Sequence, residues 1–391
     1  MTLTRTQHTF RPPVMEAKRW LEGVSFAPEM PLMNVSQAAP VDPPPAALRE
    51  AIAQVALTND SAHLYGPVLG LPALRDVLAA QTSAIYGGVV ASEQVGITSG
   101  CNQAFAAAIA ALCDQDDEVI LPTPWYFNHK MWLDMAGARA VACPTGADLL
   151  PDPQTVAKLI TPQTRAIVLV TPNNPAGVEY PAPLIQAFMV LARQHGIALI
   201  VDETYRDFHK ISGPPHPLFT DPDWSDTLIH LYSFSKAYRL TGHRVGAIIT
   251  SAARLSEVEK FLDTVAICAG QIGQHAALWG MQNLSQWLAG ERDEILTRRA
   301  AIEAGAPELA DKGWKILGSG AYFAYMEHPF DISSADLAPK MVRDCGILCL
   351  PGTMFMPESD SAGARHLRIA FANLDTAGIS VLFERLARLH A

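Results

Sequence analysis

From residue 46 onward the chain alternates between two textures. The segments Ala46–Leu57, Leu71–Tyr86, Asn102–Leu112 and Ala182–His195 read as helices. Between them lie short β-branched and aliphatic runs: VGITS (95–99), EVILP (118–122), RAIVLVT (165–171), IALIVDE (197–203), LIHLYS (228–233) and RVGAIIT (244–250). A strand with one wet face alternates apolar and polar residues, and these runs do not. Uninterrupted apolar strands spaced by helices predict an α/β fold with a mostly parallel sheet covered by helices on both faces. In such sheets ligands bind at the carboxyl ends of the strands, so the strand ends are where chemistry is to be sought.

The two ends of the chain differ from this middle. The first 45 residues are irregular and rich in proline, closing on Asp42-Pro43-Pro44-Pro45, and read as an arm. Past residue 285 a long helical stretch leads into WKIL, AYFAYME, ILCL and HLRIAFA, strands separated by helices, and then a final helix near Asp375–His390. The expected organisation is an arm over 1–45, a large domain over 46–284 and a smaller α+β domain over 285–391.

Composition narrows the classes. With 49% hydrophobic and 17% charged residues the chain suits a compact protein, not a disordered one. A net charge of -10 and the lack of a long basic run weigh against nucleic acid and anionic membranes as partners. The most apolar stretch, Ala104 to Cys113, is too short to span a bilayer. The opening MTLTRTQHTF has neither an apolar core segment nor a small-residue cleavage site. Six scattered cysteines form no CxxC pair, and Cys345 with Cys349 reads as ordinary packing, not a metal site. A reducing cytosol is the expected setting.

Four strand ends carry candidate chemistry. VGITS runs into Gly100-Cys101-Asn102 and a helix, where free backbone N–H groups and the helix dipole suit an anion; alone, it is equally an ordinary turn. RAIVLVT ends in Pro172-Asn173-Asn174-Pro175-Ala176-Gly177, a proline-bounded turn that presents the Asn174 amide, or is simply a turn. IALIVDE delivers Asp202, with Tyr205 three residues later; a carboxylate there needs a cation or donor, unless it caps a helix. LIHLYS ends in Ser233-Phe234-Ser235-Lys236, and Arg244 follows eight residues after the lysine. Two hydroxyls, an amine and a guanidinium suit a phosphate-bearing aldehyde: the lysine forms the imine, and the serines and arginine hold the phosphate.

These segments, with Asp202-x-x-Tyr205, the Asn-Pro-x-Gly turn and the late His366-Leu367-Arg368-Ile369-Ala370-Phe371, occur in an order that resembles the pyridoxal-phosphate-dependent aminotransferases of fold type I, class I/II. The resemblance covers nearly the whole chain. It implies pyridoxal 5'-phosphate as cofactor and Lys236 as the residue that bonds to it and moves the proton. It pairs Asp202 with the ring nitrogen, sets Asn174 and Tyr205 on the ring oxygen, and gives the phosphate to Ser233, Ser235, Arg244 and the backbone of Gly100, Cys101 and Asn102. Tyr126 would stack on the ring, with His129 behind Asp202. The alternative for His129 is a core histidine satisfied by backbone.

By the same resemblance Tyr65 reaches the phosphate of a neighbouring subunit in a homodimer with shared sites. Arg368 grips the substrate α-carboxylate, unless it is a surface strand arginine. Two departures stand out: Ala176 replaces the usual threonine of the turn, and Ala38 stands where members have a glycine near that carboxylate. Aspartate-specific members carry a second arginine just before a segment that here reads Ile267-Cys268-Ala269-Gly270-Gln271. This chain has Asp263-Thr264-Val265-Ala266 there, with Lys260 nearby, so a neutral amino acid, aromatic or aliphatic, is the expected donor to a 2-oxo acid in ping-pong chemistry. Competing readings are a C–S β-lyase of the same fold and a non-enzymatic effector-binding domain. The second would need the basic helix-turn-helix extension that this sequence lacks.

Overall fold

A computed structural model of the chain describes residues 4–390. Residues 1–3, where the predicted arm and the segment read for a leader begin, and residue 391 lie outside the described residues. In chain order the strands are β1 (Met33–Asn34), β2 (Val95–Thr98), β3 (Glu118–Thr123), β4 (Arg139–Pro144), β5 (Thr164–Val170), β6 (Ala198–Asp202), β7 (Leu228–Ser233), β8 (Gly246–Ile249), β9 (Lys315–Gly320), β10 (Phe323–Glu327), β11 (Ile347–Leu348), β12 (Leu350–Pro351) and β13 (His366–Ile369).

Seven of them form one sheet in the order β2-β8-β7-β6-β5-β3-β4. Every pair from β7 to β4 is parallel, and β8 alone runs against its neighbours β7 and β2. Strands β2, β3, β6, β7 and β8 are buried along their whole length, as their apolar runs demand. Two separate apolar clusters, one on each face, account for this: Ile167, Leu199 and Phe188 lie in the first, Val168, Ile200 and Phe105 in the second. The expected architecture is therefore the observed one, down to the smaller antiparallel sheet β12-β13-β10-β9 near the C-terminus.

Local chemistry sets the element ends. The helix Cys101–Leu112 starts one residue earlier than its pattern predicts because Gly100, at φ +86°, makes the turn that a side chain would strain. The final helix is Thr376–Ala387, trimmed at its start because Asp375 caps it from outside by accepting from the Gly378 N–H. The edge strand β4 and the helix Phe127–Ala136 have no counterpart among the predicted elements: β4 is only partly buried, and the short helix mixes His129, Lys130 and Asp134 into its apolar positions.

Residues 4–45 are more ordered than expected. They hold the helix Pro13–Arg19, and β1 pairs in parallel with β11. Ala370 N–H donates to the Val35 carbonyl (2.8 Å), which brings residues 36–39 over the carboxyl edge of the large sheet.

Gly246 opens β8 directly against the Gly100 turn: a Cβ there would lie 2.5 Å from Cys101 N and 2.6 Å from the Gly100 carbonyl carbon. Both neighbours are backbone, so neither swings aside. Gly246→Ala is expected to cost about 2 kcal/mol through overpacking, read as a lower calorimetric midpoint. An unchanged midpoint would show that the turn yields freely.

Candidate active site

The carboxyl ends of β5, β6 and β7, the Gly100 turn and the arm surround a cavity of about 330 Å³. Lys236 enters it from the turn after β7. Its amine donates to the Ala38 carbonyl of the arm (2.6 Å), and no carboxylate pairs with it among the described residues. Burial, reinforced by the charges of Arg244 and Arg368, brings the amine down from the usual lysine range to about 8. A substantial fraction of this amine is therefore neutral, and nucleophilic, near physiological pH.

Beside it, Ser233 and Ser235 also line the cavity. Ser233 Oγ accepts from Ser235 N–H (3.2 Å) and so caps the short turn that carries the lysine. Arg244 is left-handed at φ +52° and donates to the Thr241 carbonyl (3.1 Å) and Ser235 Oγ (3.4 Å), again with no carboxylate partner among the described residues. Any Cβ at Gly100 would lie 2.2 Å from Arg244 Nη2, so the missing side chain makes room for the guanidinium at the start of the helix Cys101–Leu112. First-turn N–H groups, two hydroxyls and an unpaired guanidinium converge as a seat for a dianion such as phosphate.

Asp202 closes β6 and is 3% exposed. His129 Nε2 stands 3.2 Å from its Oδ2, while Thr204 donates to Oδ1 through both N–H (3.0 Å) and hydroxyl (2.8 Å). The Cys101 thiol lies 3.6 Å from the same oxygen. Burial by itself would raise this carboxyl, but the hydrogen bond and charge of His129 and the Thr204 donors outweigh it and hold it below the usual range. Asp202 is thus an ionised acceptor facing the cavity. His129 is stacked on Phe105 (3.9 Å between centroids) and is a neighbour of Asp202, not a core histidine served by backbone. Tyr126 lines the cavity with its hydroxyl bonded by Asn128 (2.8 Å) and within 3.3 Å of Asn102 Oδ1.

Arg368 reaches the cavity from β13 and is 2% exposed, so it is no surface arginine. Phe323 and Phe355 wall its guanidinium at 5.0 and 4.9 Å. It donates to Asn174 Oδ1 (2.9 Å) and to the Ser36 carbonyl of the arm, while its Nε has no partner. Burial lowers it to about 10 in spite of the opposing influence of Tyr205 and Tyr126. A buried guanidinium without a carboxylate, with one donor unspent, is built to receive one. The Asn174 turn survives the loss of its threonine because Asn173 holds it: Asn173 Oδ1 accepts from Ala176 N–H (2.8 Å) and its carbonyl from Gly177 N–H (2.8 Å).

The expected residues Ala38, Cys101, Asn102, Tyr126, Asn174, Asp202, Tyr205, Ser233, Ser235, Lys236, Arg244 and Arg368 thus share one cavity, with Gly100 and His129 directly behind it. Tyr65 does not line it: within one chain this tyrosine is 80% exposed. Residues without a prior expectation also line it. Thr204 was legible, since a threonine two places after a strand-end aspartate is poised to donate back. Val14, Gln37 and Phe323 carry no local signal and are there through tertiary packing.

The family model described as "Aminotransferase class I and II" matches residues 31–386. An aromatic aminotransferase of Arabidopsis thaliana is 28% identical over 333 residues, covering 83% of this chain and 81% of the relative. The aspartate/prephenate aminotransferase of Thermus thermophilus is 29% identical over 336 residues, 83% of each chain. The solved structure of the aspartate aminotransferase from Thermus thermophilus with maleate superposes at a TM-score of 0.88, with 25% identity and 99% of each chain covered.

Lys236 is brought down to about 8, so acetic anhydride, which acylates only the neutral form of an amine, should label it in the ligand-free protein at a rate that follows that titration. Peptide mapping should show the Lys236 rate climbing about tenfold from pH 6 to pH 7 and levelling off above pH 9. A rate still rising in proportion between pH 9 and 10 would contradict the assignment.

Proposed function

The chain belongs to the class I and II aminotransferase family, and from that we propose that it moves an amino group from a neutral L-amino acid to a 2-oxo acid, in two half-reactions, with pyridoxal 5'-phosphate held at Lys236. The observation that carries the reading is the company of Lys236: an amine brought down to about 8 shares one cavity with an ionised carboxylate, a phosphate seat and a buried guanidinium that lacks an anion.

The residues fit the cofactor one group at a time. Ser233, Ser235, Arg244 and the N–H groups of Cys101 and Asn102 would hold the phosphate. Asp202 would keep the ring nitrogen protonated, itself oriented by His129. Asn174 and Tyr205 would donate to the ring oxygen, and Tyr126 would cover a ring face. When bound, the cofactor supplies an electron sink that makes the substrate Cα proton removable. Lys236 Nζ takes that proton and returns it elsewhere, which requires an amine that changes protonation state near pH 7. Arg368 binds the α-carboxylate as a fork and fixes which Cα bond faces the lysine. The arm carbonyls of Ser36 and Ala38, already bonded to Arg368 and Lys236, narrow the mouth and exclude water.

Tyr65 supports a homodimer with shared sites. Its loop packs on the segment at Cys268 through the Gly66 N–H (3.4 Å to Sγ), so exposed Leu64, Tyr65 and Ile267 lie near one another on one face. Six free thiols suit a reducing compartment, and among the described residues no helix is long and apolar enough to cross a membrane.

The preference for neutral donors rests on an inventory of charge. Among the described residues of one chain, the cations lining the cavity are Lys236, Arg244 and Arg368, each with a task already. Lys260 is exposed and pairs with Glu257 (2.6 Å). A distal carboxylate would be buried without a cation, at a cost on the order of a few kcal/mol. An apolar side chain instead gains about 25 cal/mol per Å² of surface buried.

Half-reaction kinetics with phenylalanine, leucine, methionine and aspartate test both claims. All three neutral donors should outrank aspartate in rate constant over dissociation constant, and Lys236→Ala should abolish turnover; aspartate ahead of every neutral donor would refute the preference. For the shared site, mixing Lys236→Ala chains with Tyr65→Ala chains should restore part of the activity, since one site of each heterodimer regains both groups. A fully active monomer in sedimentation at assay concentration would rule that out.

A further inference from the structure

The segment that ends β6 faces two ways. Asp202, Thr204 and Tyr205 line the cavity, whereas Glu203, Arg206 and His209 are buried (0%, 4% and 5% exposed) outside it. Glu203 follows the last residue of β6 and still bonds to β7 through the Leu231 carbonyl, so the alternation of extended chain turns it away from the site that Asp202 serves. What it meets there is a polar cluster drawn from several elements.

Glu203 Oε2 accepts a short bond from the Tyr86 hydroxyl of the helix Pro72–Tyr86 and lies 2.8 Å from His230 Nε2 on β7 and 3.3 Å from His216 Nε2. His209 Nε2 stands 4.0 Å from Glu203 Oε1, and His209 Nδ1 lies 3.4 Å from Glu179 Oε2. Arg206 lies over the Tyr232 ring (3.8 Å) and donates to Gln81 (3.0 Å), while the Tyr232 hydroxyl donates to Asp207 (2.8 Å). Phe219 seals the group against Tyr86 and His230. Burial would push the Glu203 carboxyl up, yet His216 and His230 hold it well below the usual range.

A fully buried carboxylate is expensive and adds little net stability even when well paired, but it does enforce one geometry, because every donor around it must stay in place. The chain between the two faces has little slack. Glu203 N–H donates to the Leu231 carbonyl (3.0 Å), Arg206 N–H to the Glu203 carbonyl (3.0 Å) and Phe208 N–H to the Tyr205 carbonyl (3.0 Å). A displaced Glu203 therefore carries Asp202 and Tyr205 with it.

We propose that Glu203 is a positioning residue of the active site: anchored to Tyr86, His216 and His230 on the far side of the sheet, it fixes the turn that aims Asp202 and Tyr205 at the cofactor. This rests on the cofactor assignment made above. Glu203→Gln keeps size and shape and leaves one oxygen for Tyr86, His216 and His230, but removes the negative charge that strengthens all three contacts on that oxygen, so the anchor is weakened while the packing is kept.

Pyridoxal phosphate binding and the pH titration of its visible absorbance on the full-length protein provide the test. Glu203→Gln should raise the dissociation constant about tenfold. With Tyr205 no longer aimed at the ring oxygen, whose deprotonated form it stabilises, the midpoint should move up by at least about half a pH unit. In a Tyr205→Phe background Glu203→Gln should move the midpoint no further. A lower thermal midpoint with both readouts unchanged, or an equal shift in the Tyr205→Phe background, would overturn the proposal. Should Glu203→Gln fail to fold, Tyr86→Phe, which removes a single donor, should give a smaller shift in the same direction, and an unmoved midpoint there overturns it too. Absence of the absorbance in the wild type would instead overturn the cofactor assignment.

Discussion

Asp202 is a carboxylate at the end of a buried strand, and it has to be kept ionised where water does not reach it. Meeting that requirement brings three elements together. The helix Phe127–Ala136 supplies His129, the turn after β6 supplies both donors of Thr204, and the helix Cys101–Leu112 supplies the Cys101 thiol. Removing any of these would leave a buried charge short of a partner, which is far more costly than losing an ordinary surface contact. The same helix start that touches Asp202 also offers its N–H groups to an anion, so a ligand that met both would have its two ends set relative to each other by a single turn at Gly100.

The sheet topology explains why so few residues suffice. Strands β5, β6 and β7 are adjacent and parallel, so the residues at or just past their ends, Asn174, Asp202 and Ser233 to Lys236, arrive side by side. Strand β8 runs the other way and so returns Arg244, just before its first residue, to that same edge. Arg368 comes from β13, far along the chain, and the arm reaches it through the bond of Ala370 to Val35.

What could be read from the sequence follows that logic. Apolar runs without alternation have one stable arrangement, so the mostly parallel sheet and the location of the chemistry at its carboxyl edge were legible, as were the residues placed directly on strand ends. Strand β4 was not: its apolar run, Ala140-Val141-Ala142-Cys143, is short, made mostly of small residues and only partly buried at the sheet edge. The order in residues 4–45 was hidden for a different reason: β1 is two residues long and exists only because β11 is beside it. Val14 and Phe323 reach the cavity through such long-range packing, and no local pattern announces it. Glu203 was in plain view next to Asp202, but its partners Tyr86, His216 and His230 are scattered over some 140 residues of sequence, and only the fold unites them.

Counting charges around the cavity carries the argument one step further. Lys236, Arg244 and Arg368 bring three cationic groups to a space whose lining, among the described residues, contains a single carboxylate, Asp202, already engaged by His129 and Thr204. Burial first, and then the like charges of Arg244 and Arg368, lower the affinity of Lys236 for its proton. Anionic contents would relieve the mutual repulsion of such a cluster. A phosphate at Arg244 and a carboxylate at Arg368 would compensate two of the three, and neutralising Lys236 by covalent attachment would remove the third. The residue types of the cavity thus ask for a ligand with one anionic group at each end and a carbonyl-like centre between them, an assembly that a phosphorylated aldehyde and an amino acid make together.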